Sequence, residues 1–517
     1  MQQKTVKALA TLVVGLLPLT GHSADKPFHL MEASISDIHQ AMQEGSLTCR
    51  SLTQQYLDRI QAYDKQGPAL NAMLYINPHA LEQADAMDRE FKRTKKMAPL
   101  FCIPTVLKDN YNIADMPTTG GSASLEGSQP GQDAFVVSRL RQNGALILGK
   151  TNMQEFALGG VTVSSLGGQT KNPYDLKLTP GGSSGGTGVA LASNFATVGT
   201  GSDTANSLRS PASANSLVSI RSTLGLVSRE GIVPVSFTQD EAGPLTRSVA
   251  DTARMLDAMA GYDHNDPITA LSRGHIPKTY TAFLDKNGLK GARIGVLQTL
   301  FGTGPEHQDV NKVMANAIEI LKKQGAIIVP ISAPETDTDK LNANLDVQKY
   351  EYKSVINSYL ATYGKNAPSH SLDDIIASGK FHSSLQKFLL SAQSYKDGLN
   401  EPDYKDRLVK IDTLKMTLAN LMAENNLDAM VYPHQKRLPA PIGEYDQKER
   451  NGILASLTGF PAIVVPAGFS PSTEDAPRGV PVGMEFIGLP WSEPQLIKYA
   501  YSFEQTAHAR KMPASAP

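Results

Sequence analysis

Cysteine is nearly absent: Cys49 and Cys102 are the two in 517 residues. Two thiols cannot form the disulfide framework of a small secreted scaffold, and by number they do not suit a structural zinc site. Cys49 opens an amphipathic helical pattern and Cys102 lies in an apolar run, so one disulfide and two separate buried thiols both remain open. An excess of either charge is also missing, since 49 Lys+Arg stand against 50 Asp+Glu for a net charge of −1. No global basic field exists to hold phosphate backbones, and nucleic acid is excluded as a default partner. Charged residues are scarce at 19% while hydrophobic ones reach 41%, which excludes disorder and permits a large buried core. The densest basic cluster, Lys92-Arg93 with Lys95-Lys96, closes a helical pattern and reads as a solvated helix end. The chain shows no internal repeat of fixed period.

A long apolar run is lacking as well. The longest, residues 8–19, falls short of the roughly 20 residues that span a bilayer, and Pro18 interrupts its end. Preceded by Lys4 and Lys7 and followed by Thr20-Gly21-His22-Ser23-Ala24, it reads as a secretory signal peptide, residues 1–23, cleaved near Ser23/Ala24. Small residues at Gly21 and Ser23 favour cleavage after Ser23. The remaining residues, 24–517, are expected as a single domain without stable membrane insertion, periplasmic or secreted.

What is present is an α/β alternation. Leu52, Tyr56, Leu57, Ile60 and Tyr63 repeat at helical spacing behind Thr48 as N-cap, and Leu81, Ala84, Met87 and Phe91 mark a second helix. The run 99–108 is apolar almost throughout and ends in Lys108, a buried strand delivering one charged head. A helix over 134–142 leads to a strand over 145–148. The Gly/Ser/Thr-rich stretch 166–210 would pass for a linker, but the apolar runs 189–192 and 195–198 place its loops on a core helix and strand. Residues 335–445 carry Tyr350, Tyr352, Val355, Ile356 and Tyr359 in helical patterns and read as a mostly helical insertion. Strand signals return at 428–432, 462–466 and 480–487, the last followed by a helix through Ile497 and Tyr501.

Two motif matches are resisted by their context. Gly144-Ala-Leu-Ile-Leu-Gly149-Lys150-Thr151 satisfies the P-loop pattern, yet its interior is a β-prone buried strand where an open phosphate-binding loop is needed. Gly181-Gly182-Ser183-Ser184-Gly185 satisfies G-x-S-x-G, but Tyr174-Asp-Leu-Lys-Leu-Thr-Pro180 ahead of it is a loop, not the strand of a nucleophile elbow. Among 11 histidines, His434 and His508 are the late candidates for a partner, and their surroundings single out neither.

Taken together, Lys108 in Val-Leu-Lys-Asp-Asn, the Gly181-Gly-Ser-Ser-Gly-Gly186 loop and Gly201-Ser-Asp-Thr-Ala-Asn-Ser207-Leu-Arg-Ser-Pro211 resemble the amidase signature family of serine amidohydrolases. Ser207 follows Ser183 by 24 residues, room for the helix and strand the family places there. Further family-like phrases are Lys150-Thr-Asn-Met-Gln-Glu-Phe-Ala157, Gly243-Pro-Leu-Thr-Arg-Ser-Val-Ala-Asp251, Leu457-Thr-Gly-Phe-Pro-Ala462 and Gly479-Val-Pro-Val-Gly483. The likeness runs from about Leu30 to the C-terminus and is weakest across the helical insertion.

The resemblance implies an α/β fold with a large mixed β-sheet covered by helices on both faces. It also implies hydrolysis of a carboxylic amide through a Ser207 acyl-enzyme, with esterase side activity. Ser207 would be the nucleophile, Ser183 the bridging serine on a cis peptide and Lys108 the base. The backbone N–H groups of Thr204, Ala205, Asn206 and Ser207 would form the oxyanion hole, and Asp203, Arg209 and Ser184 would support it. Lysine can act as a base near neutral pH when burial depresses its pKa. Ala205-Asn206 stands where the family often has two glycines. Backbone donors do not need glycine, but the Asn206 side chain can restrict the local backbone and narrow or hydrogen-bond the acyl pocket. Asp203 has an equal alternative as an ordinary Asx-turn residue.

No metal or organic cofactor is implied, since histidines and cysteines show no ligand spacing. The expected partner is a small-molecule or peptide amide substrate, and the expected state a monomer or homodimer. Two rival readings are an amidotransferase glutaminase subunit, which the leader opposes, and a non-catalytic envelope binding protein, which the intact Lys108, Ser183 and Ser207 oppose.

Overall fold

A computed structural model describes residues 28–517 together with Thr5, so the expected leader, residues 1–23, lies outside the described residues but for Thr5. The described residues form thirteen strands: β1 (Met73–Ile76), β2 (Pro104–Lys108), β3 (Leu146–Thr151), β4 (Val163–Ser164), β5 (Gly168–Gln169), β6 (Val198–Asp203), β7 (Val218–Arg221), β8 (Glu241–Thr246), β9 (Arg293–Leu297), β10 (Ile327–Ile331), β11 (Ala429–Pro433), β12 (Ala462–Phe469) and β13 (Pro481–Ile487). Eleven of them make one sheet in the order β1-β3-β2-β6-β8-β7-β12-β13-β11-β9-β10, and β4-β5 is a separate ribbon. Two parallel groups (β2 with β3 and β6; β9 with β10 and β11) flank an antiparallel block from β6 through β8, β7, β12 and β13 to β11, so the sheet is mixed. Helices flank it, as expected.

Local signals explain several of these elements. The helix Cys49–Tyr63 starts where Thr48 accepts the Ser51 N–H in a capping box, which satisfies otherwise orphaned donors. It buries Leu52, Tyr56 and Ile60, each worth about 1.5–3 kcal/mol of hydrophobic stabilisation. The helix Ala80–Thr94 ends in exposed Lys92 and Arg93, the solvated end expected. Cys49 and Cys102 form a disulfide, which closes the question left by the sequence.

Two strands differ from expectation. The run 99–108 is extended only from Pro104, because Cys102 adopts a φ of +54°, outside the β region. The strand expected over 195–198 instead runs over Val198–Asp203 through Gly199 and Gly201. Those glycines mask the strand in the sequence but are demanded by the packing. A Cβ at Gly199 would press on Val106 and Thr187, and one at Gly201 on Leu245, Ser184 and Leu208.

Between residues 338 and 424 the chain forms Thr338–Leu345, Gln348–Tyr363, Leu372–Ser378, Gln386–Ser394 and Pro402–Glu424. This is the helical segment anticipated, and β11 follows it back into the sheet. Tyr350, Tyr352, Ile356 and Tyr359 are buried in apolar clusters and Val355 is buried beside them in sequence, so they are core of that segment.

Candidate active site

Strand β2, paired on both sides by β3 and β6, carries Lys108 at its end, where the side chain is fully buried. Its Nζ lies 2.7 Å from Ser183 Oγ, 2.8 Å from Ser202 Oγ and 3.4 Å from the Ser202 carbonyl. Desolvation pushes the Lys108 ammonium down to about 7, and the more distant charges of Asp203 and Asp240 oppose that shift only in part. Ser202 Oγ also accepts a hydrogen bond from Asn110 Nδ2 at 2.9 Å. Ser202 and Asn110 received no role from the sequence. The alternation of β6 offers the only signal for Ser202, since it puts Thr200 and Ser202 on one face, and Thr200 Oγ1 lies 3.3 Å from the Lys108 N–H.

The loop ahead of the helix Gly185–Ala192 brings Ser183 to Lys108 and contains a cis peptide at Gly182-Ser183. Thr162 clamps this loop, donating from Oγ1 to the Gly181 carbonyl at 2.7 Å and accepting the Gly185 N–H at 3.1 Å. Gly181 has a φ of +71°, and a Cβ there would collide with Ser210, so only glycine fits. Ser184 donates its N–H to the Ser207 carbonyl at 3.2 Å and its hydroxyl to the Ser202 carbonyl at 3.3 Å. It thus ties the two serine segments together through backbone. Ser207 is 4% exposed, and its hydroxyl makes no hydrogen bond among the described residues. The structure therefore joins Lys108, Ser183 and Ser202 directly, and connects Ser207 to them through Ser184.

The turn from β6 into Ser207 is held from behind by its carbonyls. Arg221 binds the Asp203 carbonyl, Gln239 Nε2 the Thr204 carbonyl at 3.2 Å, Arg209 Nη2 the Ala205 carbonyl at 3.2 Å, and the Ser210 N–H the Asn206 carbonyl at 2.7 Å. In a trans peptide the N–H points opposite its carbonyl. The N–H groups of Thr204, Ala205, Asn206 and Ser207 are thereby turned to the other side. Among the described residues, those of Ala205, Asn206 and Ser207 have no protein acceptor.

Behind this turn lies a fully buried charge cluster. Arg209 donates to Asp203 from Nε at 3.0 Å and Nη2 at 3.1 Å, and from Nη1 to Glu485 at 2.5 Å. Asp203 also accepts the Leu208 N–H at 3.1 Å and lies 3.2 Å from Arg221 Nη1. Burial alone would raise the Asp203 carboxyl, but Arg209 and then Arg221 hold it well below the usual carboxylate range. Asp203 is thus more than an Asx-turn residue. Tyr432 donates to Glu485 at 2.9 Å, and His434 Nδ1 lies 2.6 Å from it. Burial pushes the His434 imidazole down despite Glu485. His508 is an exposed residue just past a helix end. Neither histidine is hydrogen-bonded to Ser183 or Ser207 among the described residues.

Asn206 points its Oδ1 at Arg450 Nη1, 3.0 Å away, so the departure from two glycines is used to hold a guanidinium beside the turn. The P-loop match is a buried strand in which Lys150 pairs with Asp109 at 3.0 Å. One group of metal-ligating type, Glu306, His307 and Glu449, comes together among the described residues. His307 Nδ1 accepts the Gly304 N–H at 2.9 Å. Its Nε2 is therefore the protonated nitrogen, donating to Glu449 at 3.2 Å, and the ring acts as a hydrogen-bonding group there.

Against known proteins, a family model described as Amidase matches residues 51–497. The solved peptide amidase of Stenotrophomonas maltophilia is 38% identical and superposes with a TM-score of 0.86, covering 95% of this chain and 100% of that one. A probable amidase of Arabidopsis thaliana is 36% identical over 94% of this chain and 92% of its own. A glutamyl-tRNA(Gln) amidotransferase subunit of a Geobacter species is 33% identical over 94% of this chain and 99% of its own. Matches of this identity along nearly the whole length establish that the chain belongs to the amidase signature family and is an amide-hydrolysing enzyme.

Proposed function

We propose that the chain is a free-standing, exported amidohydrolase that cleaves a carboxylic amide through a Ser207 acyl-enzyme, with Lys108 as base and Ser183 as proton relay. The observation that carries this reading is the buried Lys108, held near neutrality at about 7 and 2.7 Å from Ser183 Oγ. A neutral amine in that position can take a proton that an ordinary lysine could not.

In the first step Ser207 Oγ bonds to the amide carbon while its proton passes through Ser183 toward Lys108. The carbonyl oxygen takes the negative charge, facing the N–H groups of the turn 204–207; one such donor is worth about 3–4 kcal/mol. The tetrahedral species collapses by breaking the C–N bond as the proton returns through Ser183 to the leaving nitrogen. Water then attacks the acyl-enzyme by the same route and frees a carboxylic acid. Esters, with better leaving groups, should acylate the same serine.

Export is supported by the leader-like residues 1–23 and by the Cys49–Cys102 disulfide, a bond that persists in oxidising compartments. Because the relatives include an amidotransferase component, the partner-dependent reading is the one to test against. Purified protein, without any other chain, is expected to release ammonia or amine from members of a panel of primary amides, amidated dipeptides and anilides. Hydrolysis of none of these alone, with turnover of glutamine only when amidotransferase partner chains are added, would overturn the proposal.

A further inference from the structure

A cavity of about 510 Å³ opens against Ala205 and Asn206 and is bordered by Arg450 and Ile453. Arginine carries five donors. Among the described residues, Arg450 uses its Nη1 on Asn206 Oδ1 and has no carboxylate within ion-pair distance. Gly160 makes room for it, since a Cβ there would overlap the guanidinium. Gly160 in turn packs against Gly182, next to Ser183, so Arg450 sits between the two serine loops.

The cavity also holds four carboxylates, Glu306, Asp339, Asp446 and Glu449, and three of them face other partners, Glu306 lying 3.6 Å from His307. Glu449 lies 3.2 Å from His307 and 3.4 Å from Arg437, and Asp339 lies 3.1 Å from Lys436. Asp446 and Lys448 are exposed, and Asp446, the acidic group whose charge acts most on Arg450, lies beyond ion-pair distance. Half-buried Arg450 is thus a cation with open donors immediately beside the turn that leads into Ser207. A planar guanidinium in this state matches the two oxygens of a carboxylate, and such charge-assisted pairs are the strong ones.

Resting on the Ser207 reading above, we propose that Arg450 is a specificity residue and selects amides that carry a carboxylate a few bonds from the scissile C–N bond. Asn206 fixes one edge of the guanidinium and leaves the other edge for the substrate. An asparagine in place of the family's common glycine then has a purpose: it aims Arg450.

The test uses matched amide pairs. Succinamic and glutaramic acids against butanamide and pentanamide place the carboxylate on the acyl side. N-acetylglycine against N-acetylethylamine places it on the amine side. Wild type is expected to prefer the charged member of at least one pair by about tenfold or more in kcat/KM. Arg450→Gln is expected to remove that preference, mainly through a higher KM for the charged amide, and Arg450→Lys to restore part of it. An equal or reversed preference in wild type, or a preference that survives in Arg450→Gln, overturns the inference. Fluorophosphonate labelling of Ser207, followed by intact mass, separates the two levels of failure. Labelled enzyme without charge preference sinks the role of Arg450 alone, whereas unlabelled wild type sinks the Ser207 reading and this inference with it. Labelling of Arg450→Gln shows that its site still folds.

Discussion

Lys108→Ala is expected to lower kcat/KM by about 10²–10⁴-fold, the range of a lost general base, and Lys108→Arg by as much. Arginine keeps the positive charge but cannot lose its proton, so the second substitution separates charge from basicity. In wild type the rate should rise with pH through about 7, where Lys108 passes from cation to neutral amine, and then level off. Both variants should lack that limb. The same shift has a consequence for folding. Lys108 titrates at about 7 in the fold against an ordinary 10.5, so between those values the unfolded chain binds more protons than the native one. Stability from this group therefore rises with pH across that window and is lowest below about 7. Lys108→Met should accordingly be more resistant to urea than wild type at pH 7 while being inactive. A variant that is both destabilised and still active would show that Lys108 is a structural cation.

The second large effect is on stability. Asp203→Asn is expected to cost about 3–5 kcal/mol, because it leaves the fully buried Arg209 and Arg221 without their shared counter-charge. Guanidinium pairing keeps Asp203 ionised to well below its ordinary 3.8. Its contribution is therefore complete at neutral pH and is lost as pH falls below the ordinary carboxylate range through the folded value. Urea unfolding followed by circular dichroism at pH 7 measures the loss, and the gap between wild type and Asp203→Asn should narrow in acid. Activity should fall as well, since Arg209 would lose the partner that positions it on the Ala205 carbonyl. A change below about 1 kcal/mol would mean that Glu485 alone suffices to hold Arg209.

Local patterns made much of this site readable. Lys108, Ser183 and Ser207 sit in short motifs whose order and spacing carry the resemblance, and the helix and strand between the serines are there. What escaped the sequence is what comes from far along the chain. Glu485 is 276 residues from Arg209, and Arg450 is 244 from Asn206, and no local periodicity announces such pairs. Buried strands were hidden for a different reason. β6 and β8 carry Gly199, Gly201, Gly243 and Pro244, residues that signal turns. Here the close packing around β6 admits no larger side chain at Gly199 or Gly201. The aromatic pattern of residues 335–445 was legible as helix, but only the packing shows Tyr350, Tyr352 and Tyr359 turned into apolar clusters.

The central claim is that Ser207 is a nucleophile activated through Lys108, and intact-protein mass after exposure to a fluorophosphonate serine probe tests it most directly. Wild type should gain a single adduct that maps to Ser207, and Ser207→Ala and Lys108→Ala should gain none on the same timescale. An adduct that persists in Ser207→Ala, or wild type that hydrolyses amides without ever being labelled at Ser207, would contradict the account.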